Sequence, residues 1–353
     1  MSEAKIMTAT MPDDVLISVR GLKKHFTVKG GRKGRELKVL RAVDDVSFDI
    51  RKGETFGLVG ESGSGKSTVA RLILRAYTLT DGQILFREND GRVVDISAMG
   101  DKELRPVRRE MQMIFQDPYS SLNPRMTLLD LIGEPMVVHG YSKDEIAKRV
   151  GELLSFVGLR PEYASRYPHA FSGGQRQRIG IARALALSPA FIAADEAVSA
   201  LDVSVAAQNI NLLQDLQEQF HLTYLFITHD LGMVEHISDR IAVMYLGQIV
   251  ELGETERLFS RPRHPYTEAL LGAVPQPDPR KRSAEKRGVL KGEVPDASDP
   301  PPGCAFHPRC AYATERCSRE KPELRSVDGR DVRCHHAEAL TLRGVGEDQG
   351  AHA

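Results

Sequence analysis

The nine residues GESGSGKST at positions 60–68 carry the side chains of this sequence that are best suited to binding phosphate. They fit the pattern G-x-x-x-x-G-K-[ST] without deviation. Glycines allow the backbone to curl so that successive N–H groups point at phosphate oxygens, and the helix expected near Lys66 adds the positive end of its dipole. Lys66 can reach the outer phosphates of a nucleoside triphosphate, and the Ser67 hydroxyl can bind Mg²⁺. We therefore predict a nucleoside-triphosphate site here rather than a glycine turn without a ligand.

Polar side chains also stand at the ends of three other apolar runs: MQMIFQ (111–116), AFIAADE (190–196) and TYLFITH (223–229). Asp195 can hold the Mg²⁺ shell, and the adjacent Glu196 can orient an attacking water. Gln116 could reach the metal or the water, and His229 could contact the γ-phosphate. Each of these residues alone is more often structural. Because the carboxyl ends of parallel strands form the ligand site of an open sheet, we expect all four to converge there.

A second helix N-terminus suited to an anion is expected in FSGGQRQRIGIARALAL (171–187). Ser172 is a plausible N-cap, and Gly173 and Gly174 precede apolar residues at helical spacing. One domain already has its phosphate loop, so a second one suggests that the two sites belong to different subunits. An ordinary capped helix fits the local chemistry equally well.

These residues require an α/β domain to position them. Short β-rich runs alternate with helical stretches up to about residue 260, which predicts a mainly parallel sheet. Strands are expected at 55–60, 111–116, 190–195 and 223–229, an antiparallel edge hairpin at 240–253, and a solvated hairpin loop at 29–38. Prolines crowd residues 275–302, which predicts an exposed linker.

Composition limits the function further. The 353 residues include 48 Lys and Arg against 48 Asp and Glu, so no global charge draws the protein to nucleic acid or anionic lipid. No apolar run is long enough to cross a bilayer, and MSEAKIMTATMPDD lacks the apolar stretch of a signal peptide. We expect a cytoplasmic protein whose four cysteines are reduced, so disulfides are the weaker explanation for them.

Six motifs in this order resemble the nucleotide-binding subunit of ABC transporters, over roughly residues 12–260. They are the Walker A loop GESGSGKS, the Q-loop Gln116, the signature FSGGQ (171–175), the Walker B strand AFIAADE, the D-loop SALD (199–202) and the switch histidine His229. The resemblance implies a P-loop NTPase of the ABC ATPase type, with an antiparallel β subdomain and a helical signature subdomain. It implies that the triphosphate is ATP and that two ATPs lie between two head-to-tail subunits.

The resemblance also assigns residues to roles. Phe26 fits the aromatic that stacks on adenine, with His25 as a rival. The remaining ATP contacts are Gly60, Ser62, Gly63, Gly65, Lys66, Ser67 and Thr68, with Mg²⁺ held through Ser67, Gln116 and Asp195. The implied catalytic set is Glu196, His229 and Gln116, and the D-loop contains Asp202. The ATP of the partner subunit would be contacted by the signature residues Ser172, Gly173, Gly174 and Gln175. Phe171 replaces the usual Leu, and Ala197 replaces a common proline; the second change is expected to loosen the turn, while hydrolysis survives.

A narrower resemblance, to the ATPases of oligopeptide and dipeptide importers, rests on FQDPYSSLNPRMTL (115–128), ALDVSVAAQNINLLQDLQ (200–217) and RHPYTEALLGAVP (263–275). It implies a peripheral subunit at the cytoplasmic face of the cell membrane, with two permeases, a second ATPase subunit and an extracytoplasmic solute-binding protein. The region after Gln116, including Arg125, would dock the permease. Metal-chelate and oligosaccharide importers share the pattern, so peptide is the favoured cargo and those solutes stay as alternatives.

An ABC ATPase acting on nucleic acid or ribosomes is the weaker alternative, because the chain has one motif set and no heptad run. Intact Glu196 and His229 argue against a purely regulatory ATPase.

The four cysteines are Cys304, Cys310, Cys317 and Cys334, with five, six and sixteen residues between them. Four thiolates in a proline-framed segment could bind Zn²⁺ or an iron–sulfur cluster. The spacing lacks the two-residue zinc knuckle, which weakens zinc. Some members of the importer group carry a [4Fe–4S] cluster in such an extension, so we favour a structural or sensing cluster over zinc, and unligated cysteines least.

The domain boundaries follow from these segments. We expect an N-terminal tail at 1–11, the nucleotide-binding domain at 12–260, a C-terminal extension with the linker and the four cysteines at 261–338, and a flexible tail at 339–353.

Overall fold

The computed structural model describes residues 11–30, 36–117, 121–199, 201–273 and 292–345. Two sheets organise these residues. The smaller sheet is antiparallel, with the order β2-β1-β4-β5. Its strands are β1 (Val15–Gly30), β2 (Glu36–Arg51), β4 (Asp81–Arg87) and β5 (Val93–Asp95).

The larger sheet has the order β11-β12-β10-β9-β3-β8-β7-β6. Its strands are β3 (Thr55–Val59), β6 (Met111–Ile114), β7 (Phe191–Asp195), β8 (Thr223–Thr228), β9 (Arg240–Tyr245), β10 (Gln248–Glu254), β11 (Arg325–Val327) and β12 (Arg330–Val332). Strands β6, β7, β8, β3 and β9 are parallel to one another, and β10, β12 and β11 continue the sheet antiparallel. All residues of β3, β7 and β8 are buried, as expected for parallel strands covered on both faces.

Ten α-helices surround the sheets in the described residues. They are α1 (Lys66–Ile73), α2 (Asp101–Glu110), α3 (Leu128–Val138), α4 (Lys143–Phe156), α5 (Gly173–Ala184), α6 (Val203–Phe220), α7 (Leu231–Ile237), α8 (Thr255–Ser260), α9 (Pro265–Gly272) and α10 (Glu315–Arg319). Helices α3, α4 and α5 pack on one another and form a helical subdomain. Thr127, Ser142 and Ser172 cap these three helices through side-chain oxygens, so the local sequence sets where each helix begins. No helix in the described ranges is long and apolar enough to span a bilayer.

The larger sheet has a hydrophobic core on each face. Along β8, Tyr224 and Phe226 join the core that contains the helical subdomain, whereas Leu225 and Ile227 join the core beneath the antiparallel sheet and α1. This alternation follows from the two-residue period of a strand. The parallel strands are therefore fixed from both sides, and their carboxyl ends are held in register.

The predicted α/β class and the four predicted strands are confirmed, although the strands end before Gly60, Gln116 and His229. The hairpin at 240–253 is also confirmed as antiparallel. Its placement at the sheet edge is wrong, because β12 pairs with the outer side of β10, with Glu251 opposite Val332 and Leu252 opposite Asp331. No local pattern in the sequence announces a pairing partner so far along the chain.

Two predictions about loops hold only in part. In the hairpin at 29–38, Gly30 pairs with Glu36, so the strands extend into the expected loop and residues 31–35 lie outside the described residues. Residues 274–291 of the expected linker also lie outside them. The rest of it is not a free linker, because the Arg41 amide donates to the Ala297 carbonyl at 3.2 Å and Ala297 packs against the core.

The C-terminal segment is packed as far as the structure describes it. Leu342 is buried, and the Val345 amide donates to the Phe259 carbonyl at 2.8 Å. The prediction of a flexible tail is therefore wrong for residues 339–345, and residues 346–353 lie outside the described part of the chain.

Candidate functional site

The loop between β3 and α1 has the backbone geometry of a phosphate cradle, and two of its glycines are required sterically. Gly60 has φ of 150° and Gly65 has φ of 105°. A Cβ on Gly60 would stand 2.2 Å from the Met244 carbonyl oxygen, and one on Gly65 would stand 2.3 Å from that of Ala42. No other residue type fits at either position.

Lys66 is the first residue of α1, and its side chain turns back over the loop. Its Nζ donates to the carbonyl oxygens of Gly60 at 2.8 Å and Glu61 at 3.0 Å. The residue is only 4 % exposed, and this burial lowers the pKa of Lys66, while the carboxylates of Glu196 and Asp195 act in the opposite direction. A buried ammonium is thus held at the concave side of the loop, where the phosphates of a nucleotide would lie.

Ser67 and Asp195 form the pair of oxygens that suits a hard cation. The Ser67 hydroxyl donates to Asp195 Oδ1 at 2.7 Å. Asp195 is 2 % exposed; burial raises its pKa, and the Ser67 hydrogen bond opposes that shift. A hydroxyl and a carboxylate on adjacent elements fit the oxygen ligands that Mg²⁺ takes beside a nucleotide. The residues present therefore fit the expected metal.

Glu196 follows β7 and is contacted by side chains that follow both neighbouring strands. Gln116, after β6, donates to Glu196 Oε2 at 2.6 Å, and His229 Nδ1, after β8, lies 3.4 Å from Oε1. Glu196 has φ of 47°, a left-handed conformation that costs roughly 1–2 kcal/mol for a residue with a side chain. Its amide donates to the Ile227 carbonyl at 2.9 Å, which fixes this conformation. The Glu196 carboxylate meets Gln116 and His229, whereas that of Asp195 meets Ser67.

The turn after Glu196 is closed by Ser199. The Ser199 amide donates to the Glu196 carbonyl at 3.2 Å, and its hydroxyl donates to the same oxygen at 2.9 Å. Ala197 is buried in this turn. Its effect on the looseness of the turn stays a prediction.

The second expected anion site begins at Ser172, the N-cap of α5. The Ser172 hydroxyl accepts from the Gln175 amide at 3.3 Å, and the Gln175 side-chain oxygen accepts from the Ser172 amide at 3.1 Å. Both residues are exposed, whereas a Cβ on Gly174 would stand 2.4 Å from Val205 of α6. The helix is therefore packed closely on α6 while its N-terminus faces solvent.

The other predicted contacts differ in burial and in their partners. Phe26 is half-buried, with its ring edge-on to Tyr77 at a centroid distance of 5.7 Å, and it lies on the β1–β2 hairpin that carries Ala42 against Gly65. His25 lies 3.5 Å from Asp44, so its ring has a partner of its own. Of the remaining residues, Ser62, Gly63, Arg125 and Asp202 are exposed and Thr68 is half-buried; Asp202 is the N-cap of α6.

The four cysteines line one small pocket, together with His264 and Phe306. The Cys304 amide donates to the Cys317 carbonyl at 2.8 Å, and burial raises the pKa of Cys310 to about 12 and that of Cys334 to about 11. Within the described ranges, however, no group of three or more His, Cys, Asp or Glu side chains is arranged to hold a metal ion. The four cysteines therefore share one pocket, without forming a metal-binding group in it in the described structure.

Sequence reasoning missed Glu61 of the phosphate loop and the two residues that hold it from outside the loop. Glu61, inside the loop, contacts Tyr266 of α9 and Arg309 of the cysteine segment. Only the three-dimensional pairing brings these residues together, because more than two hundred positions separate Glu61 from either partner.

Comparison with known families and proteins is consistent with this geometry. Residues 43–199 match the family described as "ABC transporter", and residues 250–317 match "Oligopeptide/dipeptide transporter, C-terminal region". The oligopeptide transport ATP-binding protein AppF of Bacillus subtilis is 52% identical over 332 residues, which are 93% of this chain and 99% of that protein. YkfD of the same organism, also named for oligopeptide transport, is 52% identical over 323 residues, covering 91% of this chain and 95% of its own length.

Solved structures of ATP-binding cassettes share the fold. A dimeric post-hydrolysis structure of the cassette MJ0796, bound to ADP and Pi, has a TM-score of 0.58 and 29% identity, and covers 68% of this chain and 99% of its own. The cbiO1 protein of Clostridium perfringens, part of the transporter complex cbiONQ, has a TM-score of 0.59 and 26% identity, with 70% and 91% covered.

Proposed function

The chain belongs to the ATP-binding proteins of ABC transporters that carry the oligopeptide/dipeptide C-terminal region, and from this premise we propose that it powers the import of oligopeptides or dipeptides. It is an ATPase. The observation that carries the proposal is the arrangement of Glu196 between Gln116 and His229, beside the Ser67–Asp195 pair and the Lys66 loop. The named relatives supply the class of cargo.

The proposed division of labour follows from these contacts. Lys66 and the loop amides hold the phosphates and offset their charge. Ser67, Asp195 and Gln116 would hold Mg²⁺, which would neutralise the charge that develops on the phosphates. Glu196 accepts hydrogen bonds only, so it can orient and polarise a water molecule. Gln116 and His229 hold the Glu196 carboxylate, and His229, more than half exposed, can also reach the γ-phosphate.

We propose that two such subunits share their ATP sites. At the N-terminus of α5, Ser172 and Gln175 are exposed and Gly173 and Gly174 are half-buried. The cassette MJ0796, which shares the fold, has a dimeric form bound to ADP and Pi, and this supports pairing of two ATPase subunits. In the proposed pair, the N-terminus of α5 meets the nucleotide of the second subunit. Asp202 and the exposed Val203 would lie at the same interface.

A membrane permease is the second proposed partner. Phe115, next to Gln116, is 42% exposed, and Val137 and Val138 of α3 are 64% and 54% exposed. Apolar side chains exposed this far suit a protein interface, and Phe115 directly precedes the catalytic glutamine. Two permeases and a solute-binding protein would complete the importer, with this chain peripheral at the cytoplasmic face of the membrane.

We keep the iron–sulfur cluster as a proposal for the four cysteines, with zinc as the alternative. Its support is the common pocket of Cys304, Cys310, Cys317 and Cys334 and the softness of thiolate ligands. Anaerobic purification followed by iron, sulfide and zinc analysis tests it. Stoichiometric iron and sulfide are expected, zinc alone would select the alternative, and metal-free protein would reject both.

The proposed boundaries remain 12–260 for the nucleotide-binding domain and 261–338 for the extension, with tails at 1–11 and beyond 345. Limited proteolysis of the purified chain is the corresponding measurement, with cleavage expected between the two parts.

A pull-down of the tagged chain from native membranes in mild detergent tests the proposed function. Two multispanning permeases and a second ATPase are the expected companions. Ribosomal or DNA-associated companions without a permease would contradict import, while leaving the ATPase chemistry in place.

A further inference from the structure

The phosphate loop is tied to the C-terminal extension at Glu61, its second residue. Arg309 donates to both carboxylate oxygens of Glu61, from Nη1 to Oε2 at 2.7 Å and from Nη2 to Oε1 at 3.0 Å. The Arg309 side chain is only 5% exposed and that of Glu61 is 26% exposed. A bidentate, mostly buried pair of this kind fixes both orientation and distance.

Two further contacts hold the Glu61 backbone. Its amide donates to the Tyr266 hydroxyl at 2.9 Å, and its carbonyl accepts from Lys66 Nζ at 3.0 Å. Side chain, amide and carbonyl of one loop residue are thus held by three different partners. Lys66, the last of these partners, is the residue that faces the phosphates. Glu61 therefore connects the C-terminal extension to the nucleotide site through hydrogen bonds of a single residue.

The extension itself is built to place Arg309. The residue ends the short turn His307–Arg309, which lies between Cys304 and Cys310. Phe306, just before this turn, packs on Tyr245 and Tyr266 with centroid distances of 5.3 Å to each ring. The turn is therefore seated on the carboxyl end of β9 and on α9, at the side of the sheet where the phosphate loop begins.

The negative charge of Glu61 is unfavourable in a loop that binds phosphate, and Arg309 neutralises it. A free carboxylate in the phosphate loop would repel a triphosphate, and its three rotatable bonds would allow it to leave the position that orders the loop. A guanidinium on both oxygens neutralises the charge and fixes the side chain.

We propose that Arg309 is a positioning residue for ATP: through Glu61 it neutralises and orders the phosphate loop, which makes ATP affinity dependent on the C-terminal extension. The proposal rests on ATP binding at the Lys66 loop. It does not depend on what the four cysteines bind.

Nucleotide affinity of the purified full chain, followed with a fluorescent ATP analogue, tests this. Arg309→Ala should raise the Kd about tenfold, the factor that a loss of about 1.4 kcal/mol produces. In the complete transporter the same variant should raise the KM for ATP and leave kcat within about twofold, because Glu196 and its neighbours do not touch Arg309. Arg316→Ala is the matched control, since Arg316 forms an exposed pair with Glu320 at 2.7 Å in the same extension; its Kd should equal that of the wild type.

The Glu61→Gln background decides whether Arg309 acts through Glu61. There, Arg309→Ala should change the Kd by no more than about twofold, because the charge it neutralises is already gone. Equal losses in both backgrounds, or an unchanged Kd for Arg309→Ala, would overturn the inference. If the alanine variant does not fold, Arg309→Lys replaces it. The Kd of this variant should rise at least about twofold, and an unchanged Kd would overturn the inference equally. Failure of the wild-type chain to bind the analogue would instead count against the nucleotide site itself.

Discussion

At the scale of single residues, Glu196 combines a proposed catalytic role with an unusual backbone conformation. Its left-handed conformation is unfavourable by roughly 1–2 kcal/mol for a residue with a side chain, and the Glu196–Ile227 backbone hydrogen bond maintains it. Strain that is held in place by the surroundings is typical of functional positions. At this position the Glu196 carboxylate faces Gln116 and His229, while the neighbouring Asp195 carboxylate faces Ser67.

Glu196→Gln should retain ATP binding and lose hydrolysis by about 10²–10⁴-fold, the range typical of a general base. The amide keeps the size of the side chain but cannot polarise water as the carboxylate does. Single-turnover hydrolysis beside a measured ATP Kd checks this. Glu235→Gln, on the exposed side of α7, is the control and should hydrolyse ATP normally; wild-type turnover in Glu196→Gln would show that the role is misassigned.

Gly65→Ala should weaken ATP binding strongly, because the new Cβ would lie 2.3 Å from the Ala42 carbonyl oxygen at a φ that alanine rarely adopts. Gly180→Ala, inside α5 with nothing within 4 Å of its Cβ, should be neutral or stabilise by about 0.5–1 kcal/mol. Equilibrium nucleotide binding and thermal unfolding of the two variants check the pair. Equal ATP affinity in both would mean that the loop can relax around a side chain.

At the scale of elements, the sequence predicts the strands and the loop that binds phosphate, because their signals are local. Apolar runs that end in Gly60, Gln116, Asp195 and His229 give the strand positions to within two residues. What local patterns cannot give is pairing across the chain. The position of β12 beside β10 and the contact of Arg309 with Glu61 both depend on tertiary packing.

Ser172→Ala should separate stability from catalysis at the N-terminus of α5. Loss of the cap should lower the free energy of unfolding by about 1 kcal/mol. ATP affinity of the isolated chain should stay unchanged, because Ser172 is exposed and bonds to Gln175. Hydrolysis by the complete transporter should fall. Ser142→Ala, the equivalent cap of α4, is the control, with a similar loss of stability and normal hydrolysis.

If Ser172→Ala and Ser142→Ala hydrolyse ATP equally well in the complete transporter, the N-terminus of α5 is only a helix cap. The proposed shared site between two ATPase subunits would then lose its main support from this chain.

At the scale of the whole molecule, the parallel sheet brings one set of catalytic groups to one edge, and the extension reaches back to the same edge. Arg309 and Tyr266 meet the phosphate loop, while β12 extends the sheet that carries it. The extension therefore contributes contacts to the phosphate loop and a strand to the larger sheet. Sequence reasoning treated it as a separate domain because its proline-rich beginning and its cysteines stand apart in composition.

The most direct test of the central claim is peptide uptake by the transporter complex, purified from native membranes with this chain and reconstituted into proteoliposomes. With ATP on the side of this subunit, a labelled oligopeptide and its solute-binding protein should give uptake that Glu196→Gln abolishes and Glu235→Gln retains. ATP hydrolysis without movement of peptide, or equal uptake with either variant, would contradict the account.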